Sequence, residues 1–200
     1  MSWQLPALLS VVAVILMAWG DAASLLLRYD RTALAQGEWW RLLTGHVVHL
    51  GWSHLLLNLV GLLLVWLLVG EAIRTVGWWL LLLVCAVFIC AALWLLYPHL
   101  QWYVGLSGLL HGMLFGGAVV LFGVGDKGGA LLALLVIVKL LAEQLWGPLP
   151  GSEAASGGTV IVEAHLYGAL GGGLFVALVW LRPTWRSRLL VTPTINDDDR

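Results

Sequence analysis

Two hundred residues are enough for one domain, but 61% of them are hydrophobic and only 10% are charged. A soluble domain averages about 25% charged residues, and ten basic plus eleven acidic side chains cannot cover this much apolar surface in water. The composition excludes a disordered chain, and the net charge of −1 excludes the basic face that nucleic-acid binding needs, so the chain belongs in a lipid bilayer.

Crossing a hydrocarbon core takes about 20 consecutive apolar residues. Six stretches qualify: 5–27, 52–70, 76–97, 107–124, 129–146 and 160–181. The first reads as a retained helix, because residues 1–20 contain no Lys or Arg and a signal peptide wants a positive start. Residues 28–51 form a long connection rich in Trp and His. Residues 71–75 and 98–105 are short links, and 125–128 is a turn carrying Asp126 and Lys127. Residues 147–159 are rich in Gly, Pro and Ser and read as mobile. The domain organisation expected is a single six-helix transmembrane domain over 1–182, followed by a short polar tail, 183–200, that ends in three aspartates and Arg200.

Even-numbered connections and the proximal tail hold Arg74, Lys127, Arg182, Arg186 and Arg188, whereas odd-numbered ones hold only Arg28, Arg31 and Arg41. The positive-inside rule then puts both termini in the cytoplasm. Many of the thirteen Trp, including Trp3, Trp52, Trp78, Trp79, Trp102, Trp146 and Trp180, fall near span ends, where interfacial anchors sit. Cys85 and Cys90 lie inside one apolar run and point in different directions on a helix. They read as small buried residues rather than a disulfide or a metal pair.

Ionisable and polar groups inside spans are expensive and mark function by default. His54 and Asn58 open the second span at helical spacing i, i+4, so they share a face. They read either as interhelical hydrogen-bonding groups or as paired donors aimed at an anion. His46 and His49 lie just upstream, but no carboxylate or cysteine completes a metal set with them. Gly105-Leu106-Ser107-Gly108 leads into the fourth span, where a helix N-terminus offers free N–H groups. It is not the strand-to-helix elbow of the soluble hydrolases, since Leu109 stands two residues after Ser107. Glu163-Ala164-His165 opens the sixth span, followed by Gly168 and Gly172, a small-residue face that admits a neighbouring backbone closely.

With six alternating spans, His54, Ser107 and His165 all fall within the first turns on the outer side. Ser plus His is the minimal nucleophile–base pair. His54, Asn58 and the Ser107 N–H would stabilise an oxyanion. No third member is needed if packing orients the histidine. Lys139 and Glu143, at i, i+4 in the fifth span, read as a self-neutralising pair facing the bundle. Rival readings are a non-catalytic binder of transmembrane segments, and a small proton pathway through His54, His165, Lys139 and Glu143.

Taken together, Trp40-Arg41, His54-xxx-Asn58, Gly105-x-Ser107-Gly108 and Ala164-His165-xx-Gly168-xxx-Gly172 resemble the rhomboid intramembrane serine protease family in order and spacing. The resemblance implies an all-α six-helix bundle, with Ser107 as nucleophile and His165 as base. It also implies His54 and Asn58 as oxyanion donors, and no cofactor or metal. Gly105, Gly168, Gly172, Trp40 and Arg41 match as supporting positions. Most bacterial members carry an aromatic residue four places after the nucleophile, where this chain has His111. Because it shares a helical face with Ser107, His111 is expected to lie against His165, by stacking or by a hydrogen bond that fixes its tautomer.

The string Gly105 to Gly112, with Glu163-Ala164-His165-Leu166, is most similar to the rhombosortase branch. That branch implies cleavage of a C-terminal Gly-Gly sorting tail, with its transmembrane helix, from secreted or surface proteins. The alternative is a general rhomboid protease acting on other transmembrane substrates. The partners implied are transmembrane substrates and the bilayer, with no nucleic acid. The location implied is the bacterial inner (cytoplasmic) membrane, with the active site opening to the periplasm.

Overall fold

A computed structural model describes residues 2–191. Among these residues eleven helices follow in chain order: α1 (Gln4–Trp19), α2 (Asp21–Leu27), α3 (Arg31–Ala35), α4 (Arg41–Thr44), α5 (Trp52–Val69), α6 (Thr75–Leu96), α7 (Ser107–Gly123), α8 (Lys127–Trp146), α9 (Ser152–Ser156), α10 (Val162–Trp180) and α11 (Pro183–Leu189). Two dipeptide strands, β1 (Tyr29–Asp30) and β2 (Trp102–Tyr103), pair antiparallel.

Helices α5, α6, α8 and α10 are long and apolar enough to cross a membrane. The first expected span is not one helix. At Gly20 the backbone turns to φ 83°, a region closed to most side chains, and α2 leaves α1 at 116°. Helix α7 is 17 residues, about 26 Å at helical rise, and so is short of a full hydrocarbon core. It sits in the middle, packed against α5, α6, α8 and α10.

The closest packing joins α7 and α10, and glycines make it possible. A Cβ on Gly112 would stand 2.6 Å from the Gly168 carbonyl oxygen, and one on Gly108 would stand 2.9 Å from that of Ala164. A Cβ on Gly168 or Gly172 would overlap the carbonyl of Gly108 or Gly112. Lipid gives helices no hydrophobic reason to associate, so backbone-to-backbone approach of this kind supplies the attraction. Leu62, Leu81, Ile89, Met113 and Phe175 fill the interior. Exposed leucines such as Leu56, Leu63 and Leu67 of α5 and Leu131, Leu134 and Leu145 of α8 form the surface suited to acyl chains. Cys85 and Cys90 are free and buried. Trp78 is a core residue rather than an interfacial anchor: it is 1% exposed and its indole N–H donates to Gly70 O at 3.1 Å.

The first connection is tied down by two arginines. Arg41 is buried; it donates through Nη1 to the carbonyls of Leu25 (2.9 Å) and Arg28 (3.0 Å) and pairs with Glu38 at 2.7 Å. Arg31 donates to the carbonyls of Leu93, Trp94 and Tyr97, closing the C-terminus of α6 with a cation where the helix dipole favours one. The stretch expected to be mobile, 147–159, contains α9. The proximal tail is also structured. Helix α11 docks at the start of α6, where Arg74 N–H donates to Leu189 O at 2.8 Å and Ile73 bridges Leu190. The acidic end of the tail lies outside the described residues.

Candidate active site

Ser107 begins α7 as the chain leaves a segment held on three sides. Strand β2 pairs with β1, Gly105 N–H donates to Gly45 O at 3.1 Å, and Tyr103 Oη–H donates to Gly105 O at 2.8 Å. Gly105 has φ 120°, and a Cβ there would stand 2.9 Å from His54 Nε2. Only glycine satisfies both the backbone and the histidine beside it.

The glycine packing of α7 on α10 brings Ser107 to His165, with Oγ and Nε2 3.0 Å apart. His165 is buried, and its other nitrogen, Nδ1, lies 3.0 and 3.2 Å from the two carboxylate oxygens of Glu143. A carboxylate accepts and does not donate, so Nδ1 carries the proton and Nε2 is left to accept from the Ser107 hydroxyl. The His111 ring stacks on His165, with centroids 4.2 Å apart and planes at 18°. Its Nδ1–H donates to the Ser107 carbonyl at 2.7 Å, and its Nε2 accepts from Lys139 Nζ at 2.6 Å. Lys139 also binds Glu143 at 2.7 Å.

His54 and Asn58 line the same cavity, of about 430 Å³, as Ser107, His111 and His165. Leu50 N–H donates to His54 Nδ1 at 3.3 Å, which leaves Nε2–H as the free donor of that ring. One N–H of Asn58 donates to His54 O at 3.0 Å and the other is free for the cavity. His49 supports His54 edge-on at 5.1 Å, and burial brings its pKa down to about 3. His46 lies edge-on to Tyr103 at 5.5 Å, and burial brings it down to about 4. Both are neutral, and neither lines the cavity. Trp40 and Arg41 are also outside it: they hold the first connection to α2, through Leu26 O and Leu25 O respectively.

The sequence reading pairs Lys139 with Glu143 and links them to His165 only in the rival proton pathway, not as a carboxylate in direct contact with the histidine beside Ser107. The i, i+4 spacing carried the pairing, but their distance from His165 depends on how α8 lies beside α10. Ligand atoms of His111, Glu143 and His165 lie within 4.8 Å of one another, as metal ligands do. All three face Lys139 Nζ, at 2.6, 2.7 and 3.3 Å, so the cation at their centre is the ammonium.

A family model of the rhomboid domain matches residues 36–182. The chain belongs to the rhomboid family. Members of this family are generally intramembrane serine peptidases that act on transmembrane substrates. No curated protein matches the chain in a direct comparison. The matched stretch of this rhomboid domain begins in the first connection and runs to the end of α10, so it includes all the cavity residues described above.

Proposed function

We propose that this rhomboid protein is an intramembrane serine endopeptidase in which Ser107 is the nucleophile and His165 the general base. The observation that carries the reading is the 3.0 Å contact between Ser107 Oγ and His165 Nε2 at the head of a cavity lined largely by apolar side chains. His165 Nε2 takes the hydroxyl proton as Oγ attacks the carbonyl carbon of the scissile peptide. The oxyanion forms against His54 Nε2–H and the free N–H of Asn58. As the tetrahedral intermediate collapses, His165 gives the proton to the leaving amine. Water, deprotonated by the same nitrogen, then releases the acyl group from Ser107.

The cavity supports a helical, membrane-borne substrate. From the dyad it extends along α5 past Leu57, Gly61, Leu64 and Leu68, with Lys139, Glu143 and Leu149 on the other side. A transmembrane segment arriving from lipid meets apolar walls first and the nucleophile at its end. The substrate class we favour is the C-terminal sorting tail of rhombosortase substrates, a Gly-Gly motif followed by an apolar helix and a basic end. The sequence Gly105 to Gly112, with Glu163-Ala164-His165-Leu166, supports it. The excess of Lys and Arg on the even connections supports an orientation in which both termini face the cytoplasm and the dyad opens to the periplasm of a bacterial inner membrane.

The test uses purified full-length protein in detergent micelles. An alkyl fluorophosphonate should label the wild type and not Ser107→Ala or His165→Ala, with all three equally folded. A Gly-Gly-tailed transmembrane peptide should be cut faster than an unrelated transmembrane peptide. Labelling of Ser107→Ala at the wild-type rate would sink the assignment, and equal cutting of both peptides would sink the substrate class alone.

A further inference from the structure

We propose that Glu143 is the positioning acid of His165, and that Lys139 holds both Glu143 and His111 in place, so that Ser107, His165 and Glu143 act as a triad. The proposal rests on the serine-peptidase reading and adds two residues of α8 to it.

Glu143 is 3% exposed, and its two oxygens face only His165 Nδ1 and Lys139 Nζ among the contacts described. A carboxylate is costly to bury without a partner, and costly in lipid as well, so an ionisable group on a spanning helix marks function by default. Its placement behind the base puts a negative charge 3.0 Å from the nitrogen that becomes half of an imidazolium when Nε2 takes the serine proton. That is the geometry in which an acid holds the imidazole tautomer and stabilises the cation formed in the transition state, without itself taking a proton.

Lys139 makes the requirement sharper. Its Nζ lies 3.3 Å from His165 Nδ1 as well as 2.7 Å from Glu143 and 2.6 Å from His111 Nε2. An ammonium only donates. If Glu143 were neutral, Lys139 would donate to Nδ1, and the His165 proton would move to Nε2. An imidazole with Nε2–H cannot take the Ser107 proton. With Glu143 charged, the Lys139 donors are directed to the carboxylate and to His111. His111 Nε2 must then accept, which leaves its Nδ1–H for the Ser107 carbonyl and keeps the stacked ring neutral. One cation thus sets the tautomers of two histidines.

The experiment measures alkyl fluorophosphonate labelling of Ser107 in micelles, separated into a maximal rate and a half-saturating concentration. The variants are wild type, Glu143→Gln, Glu143→Asp and the doubly neutral Lys139→Met/Glu143→Gln, each with its thermal unfolding. Glu143→Gln should lower the maximal rate by about 10³–10⁴ with little change in half-saturation. Glu143→Asp keeps a charge for Lys139 but withdraws it from His165, and should fall by about 10². The double variant removes the misdirecting donor and the uncompensated charge together. It should regain thermal stability yet stay well below the wild-type rate, because no charge faces the imidazolium. Histidine ¹⁵N shifts should report His165 as Nδ1–H in wild type and Nε2–H in Glu143→Gln. A folded Glu143→Gln or a double variant with the wild-type maximal rate would overturn the proposal and leave the pair as packing, as would an unchanged His165 tautomer in Glu143→Gln. Failure of the wild type to label would instead overturn the peptidase reading itself.

Discussion

Adding one methyl group at Gly168 should disable the proposed peptidase while the bundle stays assembled. A Cβ there overlaps the carbonyl of Gly108, the residue next to Ser107, and backbone on both sides means no side chain can swing away. Helix α10 must retreat from α7 by at least about an ångström to restore an ordinary contact. His165 lies one turn before Gly168 on α10 and moves with it. The 3.0 Å contact to Ser107 Oγ then opens to about 4 Å, outside hydrogen-bond range. A misplacement of that size costs about 10² in rate, and overpacking of this kind costs about 1–3 kcal/mol in stability. Gly173→Ala is the control on the same helix: its Cβ meets only the edge of the Phe115 ring at 3.2 Å, which can turn aside. The assay is turnover of a fluorogenic transmembrane peptide in micelles, normalised to folded protein, with a thermal melt of each variant. Gly168→Ala should lose about a hundredfold in kcat, while Gly173→Ala stays near wild type. A Gly168→Ala protein with wild-type kcat would refute the claim that this approach sets the dyad distance.

His54→Ala or Asn58→Ala should lower kcat by about 10²–10³ with KM little changed, since on the proposed mechanism each removes one oxyanion donor; a KM effect alone would make them substrate-positioning residues. His111→Tyr keeps a ring over His165 and should retain far more activity than His111→Ala in the same peptide assay; two equal variants would make the stacking irrelevant. Arg41→Ala removes the donors to Leu25 and Arg28 and leaves Glu38 without its partner, so it should lower stability by about 2–4 kcal/mol. Its kcat per folded molecule should be unchanged, because Arg41 lies outside the cavity; a selective loss of kcat would place it in the site.

Composition and spacing determined much of this protein. A chain so apolar with so few charges could fold only as membrane helices, and polar residues at the starts of three spans marked a candidate site. The i, i+4 rule put His54 with Asn58, Ser107 with His111 and Lys139 with Glu143, because a helix fixes neighbours one turn apart whatever surrounds it. Gly168 and Gly172 signalled a close helix contact for the same reason. Tertiary structure decided what periodicity cannot encode. The first span breaks at Gly20, where an apolar pattern continued through a positive-φ residue. Trp78 faces the core although it lies at a span end. The carboxylate behind His165 comes from α8, 22 residues earlier in the chain. Spacing within α8 says only that Glu143 is one turn from Lys139. Which helix that face meets depends on the loop through α9 and on how deeply the glycines let α10 sink against α7, and those are distances between segments that only the folded bundle sets.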